Sequence, residues 1–161
     1  MCYETQSKGQ VEEDFLQYKE PSMFLIFPFC TFKCDKENGT QVCQNWSLNN
    51  APIIETTPER LVQKYLSNDI TKAIVCGGLE PFESFNDLYS LVKEARKYTN
   101  DPIIIYTGFK NGEIFNEVTK LSEFENIIIK FGRYIPGQEG HVDPLLGVTL
   151  SSLNQYAVKI S

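Results

Sequence analysis

Three cysteines fall in one short stretch, Cys30, Cys34 and Cys43, and a glycine pair, Gly77-Gly78, closes an apolar run downstream and leads into Leu79-Glu80-Pro81. Three thiolates can hold a [4Fe–4S] cluster and leave one iron without a protein ligand. A small molecule carrying an amine and a carboxylate can chelate that iron, and such cofactor chemistry requires few protein acids or bases. Zinc is the competing occupant. It accepts short cysteine spacings but needs a fourth ligand, for which Cys76 and His141 are the candidates. Cys76 lies inside an apolar run, where a thiol behaves as a small buried hydrophobe. His141, the one histidine, stands in a Gly/Pro-rich stretch that reads as an exposed loop. Gly77 and Gly78 leave backbone N–H and C=O groups open to a ligand, although a plain strand-ending turn uses glycine too. Glu80 either meets a ligand's ammonium or caps the turn that follows.

The order and spacing of these residues resemble the radical S-adenosylmethionine superfamily and, within it, the small activating proteins of anaerobic (class III) ribonucleotide reductase. The usual family pattern is C-x3-C-x2-C. Here Cys30 and Cys34 keep the first spacing, whereas eight residues separate Cys34 from Cys43. Going from two to eight intervening residues costs only about 1.2 kcal/mol of closure entropy, and Lys36-Glu37-Asn38-Gly39-Thr40 reads as a turn that folds the insert back. Cys43-Gln44-Asn45-Trp46 is similar to the C-x-N and nearby Trp of the activases. Gly77-Gly78-Leu79-Glu80-Pro81 is similar to their G-G-E-P motif with Leu79 inserted. Ile104-Ile105-Tyr106-Thr107-Gly108 resembles their apolar strand ending in Tyr-Thr-Gly, and Ser152-Leu153-Asn154-Gln155 their S-x-N-Q.

The resemblance implies that Cys30, Cys34 and Cys43 each ligate one iron, with S-adenosylmethionine on the fourth. It implies cofactor contacts from Gly77, Gly78 and Glu80, from Val42 at the position that lies against adenine in the family, and from Asn45 and Thr107 as polar partners or orienters of the cluster loop. The implied reaction is reductive cleavage of S-adenosylmethionine to a 5′-deoxyadenosyl radical, which installs a glycyl radical on the large subunit of anaerobic ribonucleotide reductase. Flavodoxin or a similar one-electron donor is then a second partner. A different glycyl-radical enzyme or a peptide is the alternative substrate, and a non-catalytic zinc or iron–sulfur module the alternative outside enzymes.

The chain has 161 residues, enough for one domain that buries about 70 % of its unfolded surface. A formal charge of −6 and a pI near 4.9, with no clustered Lys and Arg, disfavour nucleic-acid binding. Residues 1–10 are polar and no apolar run approaches 18 residues, so the expectation is a cytoplasmic protein that neither is secreted nor spans a membrane. Five cysteines in a reducing compartment favour metal binding over disulfides, with Cys2 an incidental thiol.

Residues 23–28 form an apolar run closed by Pro28, too short for a helix, and read as a strand buried on both faces. Thr57-Pro58-Glu59 opens a helix, residues 72–76 form a second strand, and Ser84 caps a helix whose apolar stripe is Leu88, Leu91, Val92 and Ala95. A strand at 103–106, a helix opening at Asn111 with Ile114, Phe115, Val118 and Leu121, a strand at 126–131, a loop at 136–140 and a last strand at 155–160 complete the chain. Strands alternating with helices imply parallel βα units. The expected fold is α/β, an incomplete (β/α) barrel of the radical S-adenosylmethionine type, mostly parallel with helices outside. It comprises residues 23–161 as a single domain, preceded by an extension, residues 1–22, in which no motif is legible. Ligands of such sheets lie at the C-terminal strand ends, where the cysteine loop, Gly77-Gly78 and Thr107-Gly108 converge.

Overall fold

The computed structural model describes residues 5–43 and 45–161, with Cys34 described by its backbone alone. Cys2, Gln44 and the Cys34 side chain therefore lie outside the described residues. The strands are β1 (Thr5–Ser7), β2 (Gln10–Asp14), β3 (Ser22–Phe27), β4 (Ile54–Thr56), β5 (Ala73–Gly78), β6 (Ile103–Tyr106), β7 (Ile127–Phe131), β8 (His141–Asp143), β9 (Val148–Leu150) and β10 (Tyr156–Lys159). The helices are α1 (Lys33–Asn38), α2 (Pro58–Leu66), α3 (Phe85–Ala95) and α4 (Phe115–Leu121). None is long and apolar enough to cross a membrane.

Six strands form one open sheet in the order β10-β7-β6-β5-β3-β2. The β3-β5, β5-β6 and β6-β7 pairs are parallel, and the two edge strands, β2 and β10, are antiparallel to their neighbours. Helices α2, α3 and α4 all pack on one face. Their apolar stripes, including Leu61, Val62, Leu88, Leu91, Val92, Ala95 and Leu121, meet Met23, Leu25, Phe27, Ile74, Cys76, Ile103, Ile105, Ile127 and Ile129 from alternate strand positions. Helix α2 starts as its sequence dictates: the Thr57 side chain accepts the Arg60 N–H at 3.2 Å, with Pro58 at the first position.

The opposite face carries Ala73, Val75, Ile104 and Ile128, and the chain covers it with its own segments, contributing Tyr18, Leu146 and Leu150. Tyr18 belongs to the 15–20 segment, while Leu146 and Leu150 belong to the β8-β9 hairpin. Lys19 N–H donates to the Leu146 carbonyl at 2.8 Å, and the Tyr106 hydroxyl donates to the Gln17 carbonyl at 2.5 Å, so the two covers are joined to each other and to the sheet.

Several elements differ from their sequence reading. Residues 36–40 are not a simple turn, because Lys33–Asn38 is a short helix that ends at Gly39 in the left-handed region, φ 70°. Asn111 opens only a 3-10 turn, Asn111–Glu113, and Phe115, expected on the apolar face of α4, is 65 % exposed. Ser84 stands at the N-cap of α3 but its side chain makes no capping bond. His141 is half-buried at the start of β8 rather than exposed in a loop. The extension is integral to the fold. Strand β2 pairs with β3, β1 pairs with β4, and Lys8 Nζ donates to the Asn49 and Ala51 carbonyls at 2.8 Å each.

Candidate cofactor cleft

At the C-terminal ends of the parallel strands lies a cleft of about 300 Å³, lined among others by Cys30, Cys43, Asn45, Gly77, Gly78, Glu80 and Thr107. Seven residues singled out from sequence are thus brought together from four separate stretches of chain. Val42 is half-buried but does not line the cleft. The topology creates the opening: β5 stays paired with β3 through Phe27↔Gly78, whereas its ladder with β6 stops at Cys76↔Ile105. The backbone of Gly77 and Gly78 therefore faces a gap between two parallel strands.

The two glycines have separate reasons to be glycine. A Cβ on Gly77 would come within 3.0 Å of the Phe24 ring, whose position on the covered face is fixed by the sheet. Gly78 has φ +80° and an added Cβ would fall 2.6 Å from Ile26 Cγ2 on the neighbouring strand. A side chain at position 78 strains the fold before it meets any ligand, so the turn is not a freely mutable edge of the sheet.

Glu80 closes the floor of the cleft. Only 7 % exposed, it accepts the Thr107 hydroxyl at 2.8 Å, the Gly108 N–H at 2.9 Å and the Phe82 N–H at 3.2 Å. The last bond is the turn-capping role weighed from sequence; the first two clamp β5 to the end of β6. Burial pushes its carboxyl above the usual carboxylate range, opposed by those three hydrogen bonds and by the charge of Lys130. Backbone contact extends the clamp to the cysteines, since Glu80 N–H donates to the Phe29 carbonyl at 2.8 Å.

The cysteine segment is held at several points. Cys30 Sγ accepts the Phe32 N–H at 3.2 Å, a turn made possible by the left-handed conformation of Phe32, φ 53°. Phe32 meets Trp46 edge-on at 4.5 Å between centroids. Asp35 Oδ1 accepts both the Val42 and the Cys43 N–H at 2.7 Å. Hydrogen bonds to a charged acceptor are worth about 1.5–3 kcal/mol each, more than the roughly 1.2 kcal/mol the longer loop costs. Helix α1 is anchored from outside by Lys33 Nζ, 4.5 Å above the Phe109 ring, and by Glu37, 3.5 Å from Arg133.

Arg133 and Lys130 were not singled out from sequence, yet both line the cleft and both are buried. Arg133 also pairs with Glu113 at 3.0 Å. Burial raises the Glu113 carboxyl, but hydrogen bonds from Arg133 and Lys110 and the charges of Arg133 and Lys33 leave it below the usual range. Lys130 Nζ donates to the Gly132 carbonyl at 3.1 Å and stands 5.5 Å from the centre of the Tyr106 ring. The available signal was a charge inside the run Ile127-Ile128-Ile129-Lys130-Phe131, since lysine is rarely buried without partners. Ser152-Leu153-Asn154-Gln155 acts through these residues. The Gln155 side-chain oxygen accepts the Ser151 and Ser152 N–H, and its nitrogen donates to the Gly132 carbonyl, while Asn154 Nδ2 donates to the Arg133 carbonyl at 2.7 Å.

The donor set fits an iron–sulfur cluster better than zinc. Cys30 and Cys43 are half-buried and both line the cleft, and the backbone of Cys34 lies in α1 between them in sequence. Cys76, the first candidate for zinc's fourth ligand, is fully buried between Leu25 and Ile105 on the helix-covered face. Desolvation pushes its thiol far above the ordinary range. Among the described side chains no three His, Cys, Asp or Glu gather as a metal site. The chain belongs to the 4Fe-4S single cluster domain family, whose model matches residues 22–154, a span that contains Cys30, Cys34, Cys43, Gly77, Gly78, Glu80 and Thr107. No curated protein and no solved structure matches the chain.

Proposed function

We propose that the protein is a radical S-adenosylmethionine enzyme that activates a glycyl-radical enzyme, with class III ribonucleotide reductase as the partner. The observation that carries this reading is the cleft at the parallel strand ends, which collects two thiols, an open glycine backbone, a buried carboxyl group and two buried cations. In it Cys30, Cys34 and Cys43 would hold the [4Fe–4S] cluster. The chemistry that group supplies when bound is one-electron reduction of the S-adenosylmethionine sulfonium, which breaks a C–S bond to give methionine and a 5′-deoxyadenosyl radical. The chain's own residues bind and orient. The Gly77-Gly78 backbone offers hydrogen bonds in the gap between β5 and β6, Glu80, oriented by Thr107, offers a carboxyl oxygen to an ammonium, and Lys130 and Arg133 present positive charge to a carboxylate. Asn45 remains a polar contact at the rim, and Val42 orients the loop through its N–H to Asp35.

A volume of about 300 Å³ is at the lower limit for small-molecule sites. The open sheet is read as the incomplete (β/α) barrel of the superfamily, in a cytoplasmic protein served by an electron donor such as flavodoxin. The test is to mix the reduced, reconstituted protein with a class III reductase and S-adenosylmethionine under anaerobic conditions. A doublet glycyl-radical signal on the reductase, lost with Cys30→Ala, Cys34→Ala or Cys43→Ala, is expected. Efficient turnover of a small substrate without any partner protein overturns the activase reading.

A further inference from the structure

We infer that Asp35 is the positioning residue that brings the third cysteine of the triad back to the second. Eight residues separate Cys34 from Cys43, so spacing alone does not hold Cys43 near the rest of the triad. Asp35 follows Cys34 directly in helix α1, and one oxygen of its carboxylate accepts the N–H of both Val42 and Cys43, each at 2.7 Å. The excursion is thereby cut to a closed ring whose two ends carry the two cysteines. Gly39 supports the ring by ending α1 in the left-handed region, φ 70°, which turns the chain back toward Asp35. The outer side of the same helix is tied down by Glu37 to Arg133 and by Lys33 against Phe109. The clamp is therefore tied through its helix to residues outside the loop. In a chain with the short spacing such a residue has nothing to bridge; here it stands in for the missing geometry. The inference rests on Cys43 being a cluster ligand.

The experiment measures iron and sulfide per chain after anaerobic reconstitution of the full chain, for wild type, Cys43→Ala, Asp35→Ala and Asp35→Asn. Wild type is expected to bind about four irons, Asp35→Ala to lose at least five-fold and resemble Cys43→Ala, and Asp35→Asn, whose amide oxygen accepts the same two N–H groups, to retain clearly more than Asp35→Ala. In the cluster-free protein, alkylation of Cys43 should be several-fold faster in Asp35→Ala than in wild type, a readout that does not depend on loading or turnover. Full cluster content in Asp35→Ala with unchanged Cys43 alkylation overturns the inference, as does equal loss in the Ala and Asn variants. Absence of a cluster from wild type, or full content in Cys43→Ala, overturns instead the reading of the triad on which it rests.

Discussion

Glu80 ties together the ends of two parallel strands at the floor of the cleft. Its carboxyl is buried, so burial disfavours the charge, and three donors that converge on it from Phe82, Thr107 and Gly108 reduce that cost. Because its pKa is raised in the folded state, the folded chain holds this proton more tightly than the unfolded chain does. The stabilising effect of protonation is fully present below the unfolded value near 4.5 and is lost as pH rises through the raised folded value. Glu80→Gln cannot ionise and removes this dependence. Urea midpoints across pH 4–8 should show the variant gaining on wild type as pH rises through that window; parallel curves would mean that the carboxyl is not perturbed. The sequence named Glu80 but left its two roles open, since a motif fixes which residue stands at a turn and not which neighbouring strand end its side chain reaches. Asp35 was missed for a related reason: it matters only through two backbone N–H groups seven and eight positions away.

The elements with strong local signals were legible in the chain. Strands β3, β5, β6 and β7 are short apolar runs, and α2 and α3 carry an N-cap or an apolar stripe. Elements defined by partners were not. Strands β1, β8 and β9 are three residues each, and β2 reads as an acidic stretch, Gln10 to Asp14, whose only strand signal is that β3 lies beside it. The β8-β9 hairpin nevertheless covers the inner face of the sheet. Leu146 between its strands is fully buried, its N–H donates to Asp143 Oδ1 at 3.0 Å, and Asp143 Oδ2 accepts the Ala157 N–H of β10. Leu146→Ala should therefore cost about 2–5 kcal/mol, the range for emptying a leucine site in a core. Denaturant unfolding measures this, and hydrogen exchange should rise across residues 15–20 and 141–150 together. A loss below about 1 kcal/mol would show that the cover is loosely packed.

At the scale of the whole molecule, the cysteine excursion is tied to the surrounding chain at several points. Lys8 and β1 hold its downstream end, Phe29 bonds to Glu80 at its start, and Arg133 and Phe109 hold its helix. Segment 15–20 and the β8-β9 hairpin cover the face of the sheet opposite the helices, and the cleft lies at the strand ends beside them. In the proposed function this cleft holds one cluster and one S-adenosylmethionine together. The most direct test is the electron paramagnetic resonance spectrum of the dithionite-reduced, reconstituted protein with and without S-adenosylmethionine. The expected spectrum is a [4Fe–4S] signal, absent in Cys43→Ala, whose shape changes when the cofactor is added. A stoichiometric zinc content with no iron–sulfur absorption, or a cluster signal that S-adenosylmethionine leaves unchanged, would contradict it.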